Sequence, residues 1–308
     1  MLQTAFLGLG AIGAPMARNL AARPDVATAL WNRTAAKARA VAAHVPDADG
    51  RVRIAATPAD AARGAELVLT CLPTSREVEA LLDGDDGLLA GMASGSVLVD
   101  CTSGDPTTSR RIAARLAERG IGFVDAPVSG GVIGAEHAKL TVMCGGDAAT
   151  VQRARAALSA FGSKIVHCGP VGAGHALKAV NNALLAIHVW STGEGLAILE
   201  RLGVRADVAL DVINASSGRS NTSMNLFPER VLTRAFPRTF RLALLDKDLR
   251  IAADVARGEG VASPILQLTS ELFRLARHAL GEEADHVEAV KLIEQWAGVE
   301  IGGSGEPR

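Results

Sequence analysis

The chain contains no tyrosine, and only seven phenylalanines and three tryptophans among its 308 residues. So few aromatic rings argue against a platform that stacks single-stranded bases. An excess of one charge is missing as well. Thirty-two basic residues face 33 acidic ones, a net charge of −1, and no Lys/Arg-rich run offers a footprint to a polyanion. No nucleic-acid partner is expected. The four cysteines, Cys71, Cys101, Cys144 and Cys168, stand far apart, with no C-x-x-C pair and no zinc spacing. No His/Cys/Asp cluster has ligand spacing either, so no metal is expected. Cys71 and Cys144 fall in apolar, strand-like runs and are expected to be buried free thiols. No uncharged apolar stretch reaches the ~20 residues of a membrane span. The first ten residues lack the basic start of a signal peptide, and a cytoplasmic protein is expected.

What is present is ordinary for a globular chain: 48% hydrophobic and 21% charged residues. The length suffices for two cores. Gln3–Leu9 reads as a buried strand, Ile12–Ala22 as a helix with Met16 and Leu20 on one side, and Ala27–Trp31 as a second strand. Further strands are expected at Glu66–Leu72, Ser96–Asp100, Gly122–Ala126, Leu140–Cys144 and Ile165–Cys168, with a helix over Ala148–Phe161. Such β/α alternation predicts an α/β doubly wound sheet over residues 1–168. From Gly174 to Leu202 the pattern becomes one long helix, too apolar for a surface and expected to lie against other helices or a second subunit. Everything after it reads as helical: Arg205–Ala215, Asn225–Thr233, Leu244–Gly258, Pro264–Leu280 and Val287–Trp296. An all-α domain over 169–300 and a flexible tail over 301–308 are expected.

Three segments carry chemistry. In Gly8-Leu9-Gly10-Ala11-Ile12-Gly13, the glycines follow a strand and open a helix. Gly8 permits the tight turn, Gly10 lets a pyrophosphate approach the backbone, and Gly13 lets helix and strand pack closely, with the helix N-terminus facing the negative charge. At the end of the second strand stands Asn32-Arg33-Thr34, where an NAD site usually places a carboxylate. An arginine there favours the 2′-phosphate of NADP, which remains preferred over NAD. Ser129-Gly130-Gly131 offers unobstructed backbone N–H groups, an anion nest suited to a small carboxylate substrate. Lys178 lies in an apolar helical stretch, where partial desolvation suits it to proton exchange with a hydroxyl or carbonyl oxygen. Asn182, one turn later on the same face, is placed to orient the substrate.

Together these segments resemble the β-hydroxyacid dehydrogenases, which include 3-hydroxyisobutyrate dehydrogenase and the glyoxylate/succinic semialdehyde reductases. Gly8 to Leu20 looks like the family's cofactor opening, and Asp125-Ala-Pro-Val-Ser-Gly-Gly131 like its substrate signature. Gly172-x-Gly174-x-x-x-Lys178-x-x-x-Asn182 looks like its catalytic segment, and Lys247-Asp248-Leu249 like its late motif. Ile12 stands where methionine is more common, and Cys101-Thr102-Ser103 where x-Ser-Thr is usual.

The resemblance implies a Rossmann-type domain and an all-α domain joined by the long helix. It implies Lys178 as general acid/base, Asn182 as a substrate holder, and Ser129, Gly130 and Gly131 as the carboxylate site. Leu72, Pro73, Ser103 and Lys247 would face the cofactor, and Phe240 and Asp248 would close the cleft from the second domain. A homodimer or homotetramer is implied. The expected reaction interconverts a small β-hydroxy acid, 3-hydroxyisobutyrate-like, and its semialdehyde. The alternatives are an enzyme like 6-phosphogluconate dehydrogenase, an imine reductase, and a catalytically silent NADP-binding regulator. The first is substantially longer, the second usually lacks the lysine, and the intact Ser129-Gly-Gly, Lys178 and Asn182 argue against the third.

Overall fold

The computed structural model describes residues 1–45 and 50–302. Of the expected tail, residues 303–308 lie outside the described residues. The chain divides into two compact units, Met1–Lys178 and Ala179–Arg308.

In the first unit the strands are β1 (Leu2–Leu7), β2 (Val26–Trp31), β3 (Val52–Ile54), β4 (Leu67–Thr70), β5 (Val97–Asp100), β6 (Gly122–Asp125), β7 (Val128–Ser129), β8 (Leu140–Gly145) and β9 (Gly162–Gly169). Their order is β3-β2-β1-β4-β5-β6-β8-β7, with β9 beside β8. The first six run parallel. At β6 the sheet turns antiparallel, through the single pair Asp125↔Gly145. The central strands β4, β5 and β6 are near-continuous apolar runs because both faces are covered, whereas β3 and β9 are largely exposed. Successive side chains therefore enter opposite cores. Phe6, Leu69 and Val99 pack with Met16, Leu20 and Phe161 on one side. Leu7, Val68 and Leu98 pack with Leu82, Ile112 and Leu116 on the other.

Chain order reverses between β1 and β4, and a doubly wound sheet opens its crevice at the carboxyl ends of such strands. The sequence pattern misses β3 and the helices Pro58–Ala62, Ser75–Ala80, Leu88–Gly91 and Gly131–Glu136. Each is too short to show a period.

The second unit is helical. The long helix spans Ala173–Arg201 and begins in the first unit. That unit runs ten residues past the boundary drawn at 168, because the backbone at Gly172 and His175 is bonded to Asp125 at the end of β6. Further on, one side of the helix is buried with Ala186, Val189, Trp190 and Leu196 in the helical core. Trp190 lies against Phe273 and Trp296, at ring separations of 6.0 and 5.8 Å. Gly193 permits close approach, since a Cβ there would lie 2.8 Å from Ile293. The remaining helices are Ala206–Asn214, Leu242–Gly258, Pro264–Leu280 and Val290–Ala297.

Where an ordinary helix is expected over Asn225–Thr233, the chain forms a π-helix at Thr222–Val231. Pro228 has no N–H and crowds the preceding turn, and a wider turn relieves that clash. The ladder ends with Leu232 N–H donating to Phe227 O, five residues back.

Candidate active site

The glycine turn is built as its residue types require. Gly8 has φ +97°, and a Cβ there would stand 2.3 Å from Cys71 O, so the ends of β1 and β4 touch at this point. A Cβ on Gly13 would meet Gly8 O at 2.0 Å, whereas one on Gly10 would meet nothing within 4 Å. The turn is closed behind and open in front, as close approach of a phosphate demands. The helix Gly13–Ala21 has no side-chain cap and no acidic residue in its first turn. Ala14 N–H is bonded to Gly10 O at 2.9 Å and Pro15 has none, so it is the positive dipole end of the helix that is left to an anion.

Asn32 is a structural link in this turn. Its side-chain oxygen accepts from Leu9 N–H at 2.9 Å, and its amide donates to Thr34 O at 3.1 Å. Arg33 and Thr34 beside it are exposed. A cleft of about 400 Å³ opens between the helices Gly13–Ala21 and Ala35–Ala42, lined by Gly10, Ala11, Arg18, Lys37 and His44, with Glu136 its one carboxylate. Arg18, Lys37 and His44 escape motif reading. The available signal is a basic residue one turn after Arg33.

The ends of β4 and β5 are joined by a buried network. Asp100 accepts from Thr70 Oγ1 at 2.9 Å and from Thr102 N–H at 3.1 Å. Thr102 Oγ1 in turn accepts from Leu72 N–H at 3.1 Å. This holds the segments carrying Leu72 and Pro73 and, one residue past Thr102, Ser103. The next residue, Gly104, lies against the buried His175, since a Cβ there would come 2.8 Å from the ring. His175 Nδ1 sits 2.7 Å from Ser109 Oγ, and its Nε2 faces Asp100 Oδ2 at 4.0 Å.

The third loop follows β6. Gly130 and Gly131 have φ of +134° and +65° in succession, a turn few other residues would follow. Ser129 is fixed by its pairing with Thr141, and no atom lies within 4 Å of where a Gly131 Cβ would be. Lys178 lies three residues after His175 on the long helix and is half-buried.

In the second unit, Asn182 is buried and donates to Asp248 Oδ2 at 2.6 Å. Lys247 Nζ lies 3.1 Å from the other oxygen of Asp248. The carboxylate therefore bridges two of the expected site residues. Phe240 is held by its backbone, donating to Asp285 Oδ2 at 3.0 Å, with its ring 5.5 Å from His286.

Comparison with known proteins agrees with this architecture. Residues 3–169 match the model for the NAD binding domain of 6-phosphogluconate dehydrogenase. Residues 172–293 match that for the NAD-binding region of NADP-dependent 3-hydroxyisobutyrate dehydrogenase. The chain is 37% identical to an NAD-dependent L-serine dehydrogenase of Pseudomonas aeruginosa, over 97% of this chain and 100% of that one. It is also 37% identical to 3-hydroxyisobutyrate dehydrogenase of the same organism, over 93% and 95%. The solved 3-hydroxyisobutyrate dehydrogenase of Mycobacterium tuberculosis with L-serine superposes with a TM-score of 0.86 at 31% identity, over 95% and 99% of the chains. The chain belongs to the β-hydroxyacid dehydrogenase family.

As a β-hydroxyacid dehydrogenase it carries an NAD(P)-binding domain, and the open glycine turn, uncapped helix and basic cleft fit that cofactor. The four cysteines are free thiols. Burial, with Asp100 nearby, pushes the Cys71 thiol up to about 12. Burial does the same to Cys144, also to about 12, with Cys168 contributing. Cys101 and Cys144 are buried, whereas Cys71, expected inside, is only partly so and follows the last residue of β4. Among the described residues no group of His, Cys, Asp and Glu is arranged to hold a metal ion, and no helix is long and apolar enough to cross a membrane.

Proposed function

We propose that this dehydrogenase interconverts a small β-hydroxy acid, 3-hydroxyisobutyrate-like, and its semialdehyde, with Lys178 as general acid/base. The observation that carries the reading is that one unit holds an open glycine turn after β1, a glycine loop after β6, and a half-buried lysine on a helix whose start is bonded to the end of β6. NAD(P), when bound, supplies the hydride acceptor or donor. Gly8, Leu9, Gly10, Ala11, Ile12 and Gly13 would hold its pyrophosphate. Arg33, on the turn that Asn32 and Thr34 shape, would select the 2′-phosphate, so NADP is preferred, and Lys37 adds charge on the same side. Leu72, Pro73, Ser103 and Lys247 would border the nicotinamide end.

Ser129, Gly130 and Gly131 take the substrate carboxylate, the two glycines through backbone N–H groups, fixing the carbinol carbon in orientation. In oxidation Lys178 Nζ accepts the hydroxyl proton. In reduction it returns that proton, and its positive charge stabilises the developing alkoxide beforehand. Asn182, aligned by Asp248, orients the same oxygen or the carboxylate, and Phe240 shields the site from water. Lys178→Ala is expected to lose at least ~100-fold in kcat, the low end for acid/base catalysis, with NADP(H) binding retained. Wild-type turnover in that variant removes the lysine from the mechanism.

A homodimer or homotetramer in the cytoplasm completes the reading. The long helix buries one side but exposes Leu177, Val180, Leu184 and Ile198, the last at 61%. An apolar stripe of this kind is a surface for a second copy. Sedimentation is expected to give a dimer or larger. A single-chain mass at micromolar concentration contradicts it.

A further inference from the structure

We propose that Asp125 is the positioning residue for Lys178, an inference that rests on reading Lys178 as the group that exchanges the substrate proton. Asp125 is the last residue of β6, at the point where the sheet changes sense. It pairs with Asp100 on one side and with Gly145 on the other. Its side chain is fully buried. A buried carboxylate is strongly unfavourable unless donors meet it. Here they come from the start of the long helix: Gly172 N–H to Oδ1 at 2.7 Å and His175 N–H to Oδ2 at 2.9 Å. Amides at a helix start have no carbonyl one turn earlier to receive them. The helix has no acidic residue in its own first turn. The compensating charge is supplied by a strand some 50 residues earlier in the chain.

The glycines around this cap are the space it needs. A Cβ on Gly145 would lie 2.5 and 2.8 Å from the two carboxylate oxygens. One on Gly174 would lie 2.2 Å from Met143 O and 2.9 Å from Asp125 O. Gly172 turns the chain into the helix with φ +93°. Gly172 and Gly174, which accompany the lysine in the sequence, thus serve the seating of its helix. The His175 ring, 2.7 Å from Ser109 Oγ, pegs the same turn sideways.

The function of this arrangement follows from what leaves Asp125 in each direction. Four residues along the chain is Ser129, which opens the anion loop. Across the carboxylate is the helix turn that leads directly to Lys178. One side chain therefore sets the lysine relative to the loop that would hold the substrate's carboxylate. A merely stabilising cap would not concern the chemical step.

The test is a double-mutant cycle of Asp125→Asn and Lys178→Ala. The amide keeps the size but turns an N–H₂ toward one of the two backbone donors. Asp125→Asn is expected to lower kcat by about 10–100-fold, the scale of a misplaced catalytic group, with NADP(H) affinity within about threefold. In the Lys178→Ala background the same change adds less than about threefold, because both act through one group. Wild-type turnover of Asp125→Asn, or a full multiplicative loss in the double variant, overturns the proposal. Wild-type turnover of Lys178→Ala overturns the lysine reading itself and this inference with it.

Hydrogen exchange on the unaltered protein gives a second measurement, independent of whether the variant folds. The Gly172 and His175 amides are expected to exchange as slowly as those of β5 and β6. Exchange at the rate of a fraying helix end overturns the cap.

Discussion

Arg33 is where a single residue carries the choice of cofactor. Its neighbour Asn32 is committed to Leu9 and Thr34, so the amide shapes the turn and leaves discrimination to the guanidinium. Arg33→Ala is expected to raise the KM for NADP at least about tenfold, the loss of one charge-assisted contact of roughly 1.5–3 kcal/mol, and to leave the KM for NAD nearly unchanged. Steady-state kinetics with both cofactors checks this, and equal effects on the two would place Arg33 outside the phosphate site. The glycine roles were legible in the sequence because each needs a residue without Cβ. The positions of Lys37 and Arg18 were not, because two helices bring them to one cleft and no spacing announces that.

Among elements, the segment Thr239–Phe240 shows how a loop is held rigid by one carboxylate. Asp285 accepts from Thr239 N–H and Oγ1 and from Phe240 N–H, while its other oxygen caps the turn at Val287. Burial opposes its ionisation, but the adjoining His286 and these backbone donors outweigh burial and hold the carboxyl well below its usual range. A depressed folded-state value means that the stabilisation is complete above the unfolded carboxylate value of ~3.9. It is lost as pH falls below that. Asp285→Asn is therefore expected to destabilise the protein by about 3 kcal/mol at pH 7, measured by urea unfolding, with the gap to wild type narrowing below about pH 4. A constant gap across that range contradicts the account. Sequence reading found most of the helices around this loop but not the π-turn at Thr222–Val231. Pro228 was visible, yet how a helix accommodates proline is decided by its packing.

The whole molecule joins a doubly wound sheet to a helical unit through one continuous helix, and that architecture was readable from the change of period near residue 170. A strand buried on both faces and a helix of 29 residues leave strong patterns. Less legible was the reason for Gly172-x-Gly174, which the sequence shows beside the lysine but which answers to Asp125 across the fold. Substrate identity is equally hidden. The anion loop recognises a carboxylate through backbone groups, and backbone groups do not distinguish one small acid from another.

Hydride exchange between NAD(P) and a small β-hydroxy acid can be followed through NADPH and NADH absorbance separately, with 3-hydroxyisobutyrate, serine, glycerate and the corresponding semialdehydes. Turnover of at least one of these acids is expected, faster with the phosphorylated cofactor, and its loss in Lys178→Ala. Tight NADP(H) binding with no turnover of any of them, or turnover of cyclic imines alone, would contradict that expectation.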